Sequence, residues 1–331
     1  MSDINFNSIV ISTRIRLARN FKKYPFVLRM SADNAKEIIK NVSDSILNAN
    51  ESFKNDFEFY GVNELKSKGG TLLEKHLISP EMLKEDREHA ALISKNEDIS
   101  IMINEEDHLR IQVIKSGYNL DEAYKTANLI DDLIEENSEY AFTEKYGYTT
   151  SCPTNMGTGM RASVMLHLPA ICMAGKMNEL IATVNRLGIA VRGIYGEGTE
   201  AKGHLFQFSN QITLGMSEEE ILSKLRNIIE QIARQEVDIR YKLKSDKLTD
   251  KIYRSYGILK NSYLISYNEF MDLWSNVLLG CDMDILTVNR NELIGLISKC
   301  APYNLLADSK QNLDAGKRDK LRSEILRQAL K

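Results

Sequence analysis

Ser151-Cys-Pro-Thr-Asn-Met-Gly-Thr-Gly-Met-Arg161, continued by Ala-Ser-Val-Met-Leu-His-Leu-Pro169, is the stretch whose reading decides the fold. Gly157 and Gly159 let the backbone bend and approach a bound group, because glycine tolerates positive φ. Consecutive amides in such a turn can form an anion-binding nest, to which Arg161 adds a fixed charge. Val164, Leu166 and Leu168 then alternate as a strand does. A loop that feeds a strand in this way is a common seat for chemistry. Two plainer readings stand beside that one. A glycine turn between strands accounts for Gly157 and Gly159, and a small buried thiol accounts for Cys152.

The 331 residues can hold a large core with a smaller module, or two comparable domains. Hydrophobic content of 43% and charged content of 27% are those of a water-soluble globular chain. A net charge of −3 argues against nucleic-acid binding by the whole surface, while leaving room for a local basic pocket. Cys152, Cys172, Cys281 and Cys300 show neither CxxC nor zinc spacing. With no signal peptide and no long apolar run, the expectation is a reducing, cytoplasmic setting away from membranes.

Outward from the central stretch, Ile9–Leu17 reads as a strand in which Arg14 and Arg16 share one face, with Arg19 nearby. That segment is either a solvated edge strand or a fork for a polyphosphate. Residues 31–58 read as a helix with Ser31 as N-cap, and 72–92 as partly helical, broken at Ser79-Pro80 just after His76. Ser100–Ile103 and Leu109–Ile114 read as a hairpin joined by Asn104-Glu-Glu-Asp-His108; its carboxylates are either solvated or functional. Leu120–Asn137 and Lys176–Leu187 read as helices. Ile189–His204 carries four glycines between two strands, which suits a loop that closes over a substrate. Ser217-Glu-Glu-Glu220 is a capping box that opens a helix running past Arg240. Beyond about residue 250 the pattern becomes short helices, read as a separate module spanning 251–331 after a domain spanning 1–250.

Glu105, Glu106 and Asp107, Cys152 with Asn155, and Glu197 lie on three separate loops, each with arginines close by in sequence. Were they to converge, the basic half would fit a nucleoside triphosphate and the acidic half a cationic acceptor. No GxxxxGK[ST] and no HRD…DFG set is present, so nucleotide would be held by another design. A cysteine hydrolase would need a histidine base, and nothing pairs one with Cys152.

Three motifs, in order, carry a resemblance. Ile11-Ser-Thr-Arg-Ile-Arg16, Asn104-Glu-Glu-Asp-His-Leu-Arg110 and Cys152-Pro-Thr-Asn-Met-Gly-Thr-Gly-Met-Arg161 are similar to the signatures of the phosphagen (guanidino) kinases over residues 8–240. Within that family the chain resembles the bacterial protein-arginine kinases. It lacks the amino-terminal helical domain of creatine and arginine kinases and reads Met-Leu-His-Leu-Pro169 in its central strand. It also carries Arg318-Asp-Lys-Leu-Arg322, similar to an RDxxRA phosphoarginine motif but with Ser323 for its alanine.

The resemblance implies an α+β fold, an antiparallel sheet flanked by helices, followed by a small all-helical domain. It implies ATP bound by Arg14, Arg16, Arg110, Arg161 and Arg192, with His76 beside the adenine and Met165 where the family has a second histidine. Glu106 and Glu197 would grip the acceptor guanidinium, with Glu105 and Asn155 beside it and Cys152 as an accessory rather than a nucleophile. Arg318, Asp319 and Arg322 would form an allosteric phosphoarginine site. MgATP is the co-substrate, with Mg²⁺ held by phosphates and water and no prosthetic group. Implied partners are proteins with exposed arginine, an McsA-type activator, a CtsR-type repressor and a ClpC-type unfoldase, acting with a homodimer in protein quality control. A kinase of free guanidino compounds and a non-catalytic phosphoarginine reader are the alternatives.

Overall fold

A computed structural model describes residues 6–49, 55–84, 87–195, 201–309 and 313–331. The chain packs as two units: one of Ser12–Val164 with Ser209–Asn227, the other of Met1–Ile11, Met165–Phe208 and Ile228–Lys331.

The first unit is built on an antiparallel sheet. Its strands are β1 (Val10–Arg19), β2 (Phe57–Tyr60), β3 (Ala90–Ser94), β4 (Ile99–Ile103), β5 (Leu109–Ser116) and β8 (Met160–His167), in the order β2-β3-β4-β5-β1-β8. A separate two-stranded hairpin pairs β6 (Phe142–Thr143) with β7 (Gly147–Tyr148). β1 is an interior strand between β5 and β8, not a solvated edge. Thr13, Ile15 and Leu17 are buried on one of its faces, while Arg14 and Arg16 are half-buried on the other.

α1 (Ala32–Leu47) starts where Ser31 Oγ accepts the Asn34 amide at 3.2 Å. It buries Ala35, Ile38, Val42 and Ile46, the i, i+3, i+7, i+11 set of one helical face. α2 (Val62–Glu74), α3 (Glu81–Lys84) and α4 (Leu120–Glu135) complete the layer, with α4 packed on β5 and α1 on α4 and β4. β2 and β3 overlap the ends of the stretches 31–58 and 72–92 that the sequence reads as helical and partly helical. All five residues of β3 are buried, and its Ala-Ala-Leu-Ile run shows no alternation to mark it as a strand.

In the second unit β9 (Ile189–Tyr195) neighbours β10 (Ala201–Asn210). α5 (Pro169–Met173) and α6 (Met177–Arg186) precede them. α7 (Glu218–Leu243), which belongs to the first unit through Asn227 and to the second from Ile228, begins in the expected box: the Ser217 amide donates to Glu220 at 2.7 Å, and the Glu220 amide to Ser217 Oγ at 3.1 Å. Then follow α8 (Asp246–Asn261), α9 (Tyr267–Asp282), α10 (Arg290–Lys299), α11 (Pro302–Ser309) and α12 (Ala315–Ala329). These helices close on Phe270, Trp274, Leu278 and Leu293, all fully buried, and Trp274 Nε1 donates to Leu293 O at 2.7 Å. Met165 packs against the same core.

Candidate active site

Register places the arginines. Ala18 on β1 lies opposite Arg110 on β5, Arg16 opposite Gln112, and Arg14 opposite Ile114. Directly opposed residues of an antiparallel pair share a face, so Arg14, Arg16 and Arg110 project to one side of the sheet. Gln112 Nε2 donates to His76 O at 2.7 Å and ties that histidine to the same face. His76 takes positive φ (59°). Burial, and next the nearby Arg14 charge, hold its pKa down at about 4, so the ring is neutral. On the other flank of β1, the Ala18 amide donates to Gly159 O at 2.9 Å, which sets Arg161 beside Arg16.

Arg19 does not join this set. It points to the opposite face, is 1% exposed, and is held by Asp131 at 2.6 and 2.9 Å with its guanidinium carbon 3.6 Å from the centre of the Tyr148 ring. Its Nη1 donates to Thr158 O at 3.0 Å, so Arg19 braces the glycine turn from behind.

The β4–β5 turn supplies the carboxylates. Asn104 takes positive φ (60°), and its amide donates to His108 O at 2.9 Å. Glu105 and Asp107 are buried, while Glu106 is exposed. Arg110 Nη1 donates to both Glu105 oxygens, at 2.9 and 3.1 Å, and the Ser79 hydroxyl and the Glu106 amide donate to the same carboxylate. Burial raises the Glu105 pKa, but Arg110 and these donors outweigh it and leave the pKa below its ordinary value. Asp107 Oδ1 accepts Asn20 Nδ2 and the Ser151 amide, both at 2.6 Å. It thus fastens the acidic turn to the cysteine loop. Glu106 is pushed above the ordinary carboxylate pKa by partial desolvation and then by the charges of Asp107 and Glu105.

The cysteine loop runs through a 3-10 turn at Pro153–Asn155, where Cys152 Sγ lies 3.0 Å from Thr154 Oγ1. Gly157 takes φ 106°, and a Cβ there would lie 2.2 Å from Thr213 O. Gly159 takes φ 62°, with Ala18 O at 2.5 Å from the same imagined atom. Both are places where any other residue would collide with backbone.

These elements enclose a cavity of about 150 Å³. Arg16, Arg110 and Arg161 line it from the sheet; Glu105, Glu106 and Asp107 line it from the turn; Cys152 and Asn155 line it from the loop. Three cations thus meet a carboxylate row whose middle member is turned outward, an arrangement that can hold a polyanion against a cationic acceptor. Glu197 lies outside the described residues. Arg192 stands on β9 in the second unit with its side chain exposed. Among the described residues no group of three His, Cys, Asp or Glu side chains could hold a metal ion, and no helix is long and apolar enough to cross a membrane.

In the second unit, Lys320 of the Arg318–Arg322 motif is exposed, whereas Arg322 is 1% exposed and so takes no part in a solvated face. Its guanidinium donates to Cys300 O at 2.9 Å, Ile265 O at 2.8 Å and Asp319 at 2.6 Å. Arg318 is half-buried. Sequence reasoning missed Asn20, Ser79 and Arg87, the last of which donates to Glu105 O. Asn20 and Asp107 are 87 positions apart, a pairing that no local pattern marks.

The family model described as "ATP:guanido phosphotransferase, C-terminal catalytic domain" matches residues 37–239. That described as "Protein-arginine kinase McsB C-terminal domain" matches residues 245–331. A protein-arginine kinase of Clostridium acetobutylicum is 46% identical over 316 residues, covering 94% of this chain and 90% of its own length. One of Halalkalibacterium halodurans is 45% identical over 331 residues, covering 98% of this chain and 92% of its own. Among solved structures, lombricine kinase matches with a TM-score of 0.63 at 21% identity, over 73% of this chain and 70% of that one. That last likeness concerns the fold.

Proposed function

The chain belongs to the ATP:guanido phosphotransferase family, and from that premise we propose that it is an ATP-dependent kinase of arginine side chains in proteins, working in the cavity between Arg16, Arg110, Arg161 and the exposed Glu106. The single observation that carries the reading is that this cavity presents cations on one wall and an outward carboxylate on the other.

Arginine is protonated at any physiological pH, with a pKa above roughly 12, and in that state its nitrogens are poor nucleophiles. Glu106, with Glu197 as the second carboxylate, aligns the planar guanidinium. One carboxylate accepts the proton as a guanidinium nitrogen attacks the γ-phosphorus. The N–P bond forms as the P–O bond to the β-phosphate breaks, and ADP leaves. Arg14, Arg16, Arg110, Arg161 and Arg192 neutralise the phosphate charge, and fixed charge of this kind is the chief contribution a protein makes to phosphoryl transfer. His76, neutral and tied to the sheet, stands on the adenine side. Cys152 and Asn155 shape the acceptor side, and Glu105 orients Arg110. The magnesium of MgATP would be held by phosphate oxygens and water, and would add positive charge beside the arginines.

In the helical module Arg318 and Asp319 serve as a phosphoarginine sensor, with buried Arg322 holding their helix in place rather than meeting the ligand, and the module is also the surface for a homodimer. In the cytoplasm the modified proteins are the clients of a ClpC-type unfoldase, with an McsA-type activator and a CtsR-type repressor as further partners. The deciding experiment incubates the chain with MgATP and, in parallel, an unfolded protein or free arginine. The expected result is acid-labile phosphate on protein arginine, located by mass spectrometry. Label on the free amino acid alone would reassign the substrate.

A further inference from the structure

The Glu105–Asp107 turn and the sheet arginines line the cavity floor and walls, so a target arginine reaches them as a side chain and the chain on either side of it must cross the rim. One sector of that rim is Thr154 and Asn155, and the segment behind them is fixed from below. Thr213, 5% exposed, donates through Oγ1 to Thr154 O at 3.0 Å and Met156 O at 2.7 Å, and its carbonyl accepts the Thr158 amide at 3.0 Å. Asn210, also 5% exposed, accepts the Ala162 amide at 2.8 Å and donates to Met160 O and Ile212 O, each at 3.1 Å. With Thr213 turned inward, Ile212 and Leu214 on either side of it face outward, each 48% exposed. A lone exposed aliphatic is ordinary. Here two flank Thr213, on a segment bonded directly to the loop that lines the acceptor side.

We propose that Ile212 and Leu214 form an apolar shelf that receives the residues flanking the target arginine, making the preferred substrate a locally unfolded segment whose arginine has aliphatic or aromatic neighbours. Folded proteins keep such neighbours inside and show arginine among polar residues, so the shelf selects exposed core sequence. This rests on the kinase reading given above.

The test uses the full chain, MgATP and two peptides of equal length with one arginine each, flanked on both sides by Leu and Val in one and by Ser and Gly in the other. The unmodified enzyme is expected to favour the apolar peptide by about tenfold in kcat/KM, the scale of partial burial of two aliphatic side chains. The double variant Ile212→Ser, Leu214→Ser is expected to lose that preference while keeping its rate on the polar peptide. Equal rates on the two peptides with the unmodified enzyme, or a preference that survives in the variant, overturn the shelf alone. Should the variant lose both activities, the preference of the unmodified enzyme decides. No phosphoarginine on either peptide overturns the kinase reading and the shelf with it.

Discussion

Of the three consecutive carboxylates, the outer two are engaged: Glu105 by Arg110 and Ser79, Asp107 by Asn20 and the Ser151 amide. Glu106, between them, is exposed into the cavity and has a raised pKa. Replacing it with glutamine keeps the size and removes the proton acceptor. We expect kcat for protein arginine to fall by about 10²–10⁴, the usual span for a general base, with KM for ATP changed less than about twofold. A raised carboxylate pKa means that the protonated, inactive form persists above the ordinary value of 4.5. Activity should therefore be lost as pH falls through a point above 4.5, and that acid limb should vanish from the residual rate of Glu106→Gln. A limb unchanged in the variant would assign it to another group. The residue pattern shows three acids at a hairpin tip without marking which one faces the ligand; only the family resemblance singles out Glu106. Which one does is decided by Asn20 and Ser79, which lie 87 and 26 positions from their partners.

At the scale of elements, the strands of the site were legible because alternation in β1 and the turn at Asn104–His108 leave period-two marks. β3 was not, since a short strand buried throughout gives no alternation to read, and β2, four residues with only Phe57 buried, is too short to show a period. The glycine turn was legible as a turn, but its tightness shows only against its neighbours. Gly157→Ala would place a methyl 2.2 Å from Thr213 O at φ 106°. We expect a loss of about 2 kcal/mol or more, read by thermal melting, with kcat falling further because the Cys152 loop is displaced. In α12 the two arginines of one motif differ in kind. Arg322 satisfies the Cys300 and Ile265 carbonyls inside the helical core, so Arg322→Ala should cost about 3 kcal/mol by leaving them without donors. Arg318, half-buried, should be replaceable by alanine with little change in melting. Binding of a phosphoarginine peptide is where its loss should register. Equal melting temperatures for the two variants would contradict this division.

Across the whole chain, acid sensitivity is set by histidines kept neutral. His76, His108, His167 and His204 all have lowered pKa values, in each case with burial as the first cause. The bonding fits a neutral ring. His108 Nδ1 accepts the Phe21 amide at 3.0 Å while Nε2 faces Pro25 O at 2.9 Å, and His167 and His204 share the Ser275 hydroxyl at 2.8 and 2.7 Å. Unfolded, each ring titrates near 6.5; folded, it takes its proton only at lower pH, for His76 at about 4. The unfolded chain therefore binds more protons as pH drops below 6.5, and the stability present above that point is lost progressively as pH falls. Asp282, Glu106 and Glu135 have raised pKa values and act in the opposite sense, but from ordinary carboxylate values well below this window. Between pH 7.5 and 5.5 the urea midpoint should thus move downward, with a slope of about 1.4 kcal/mol per pH unit for each proton taken up on unfolding. His76→Gln should reduce that slope by up to one proton in whichever unfolding transition involves the first unit. A midpoint flat across the interval would mean that these rings protonate in place, and the buried neutral histidines would not be what limits the fold in acid.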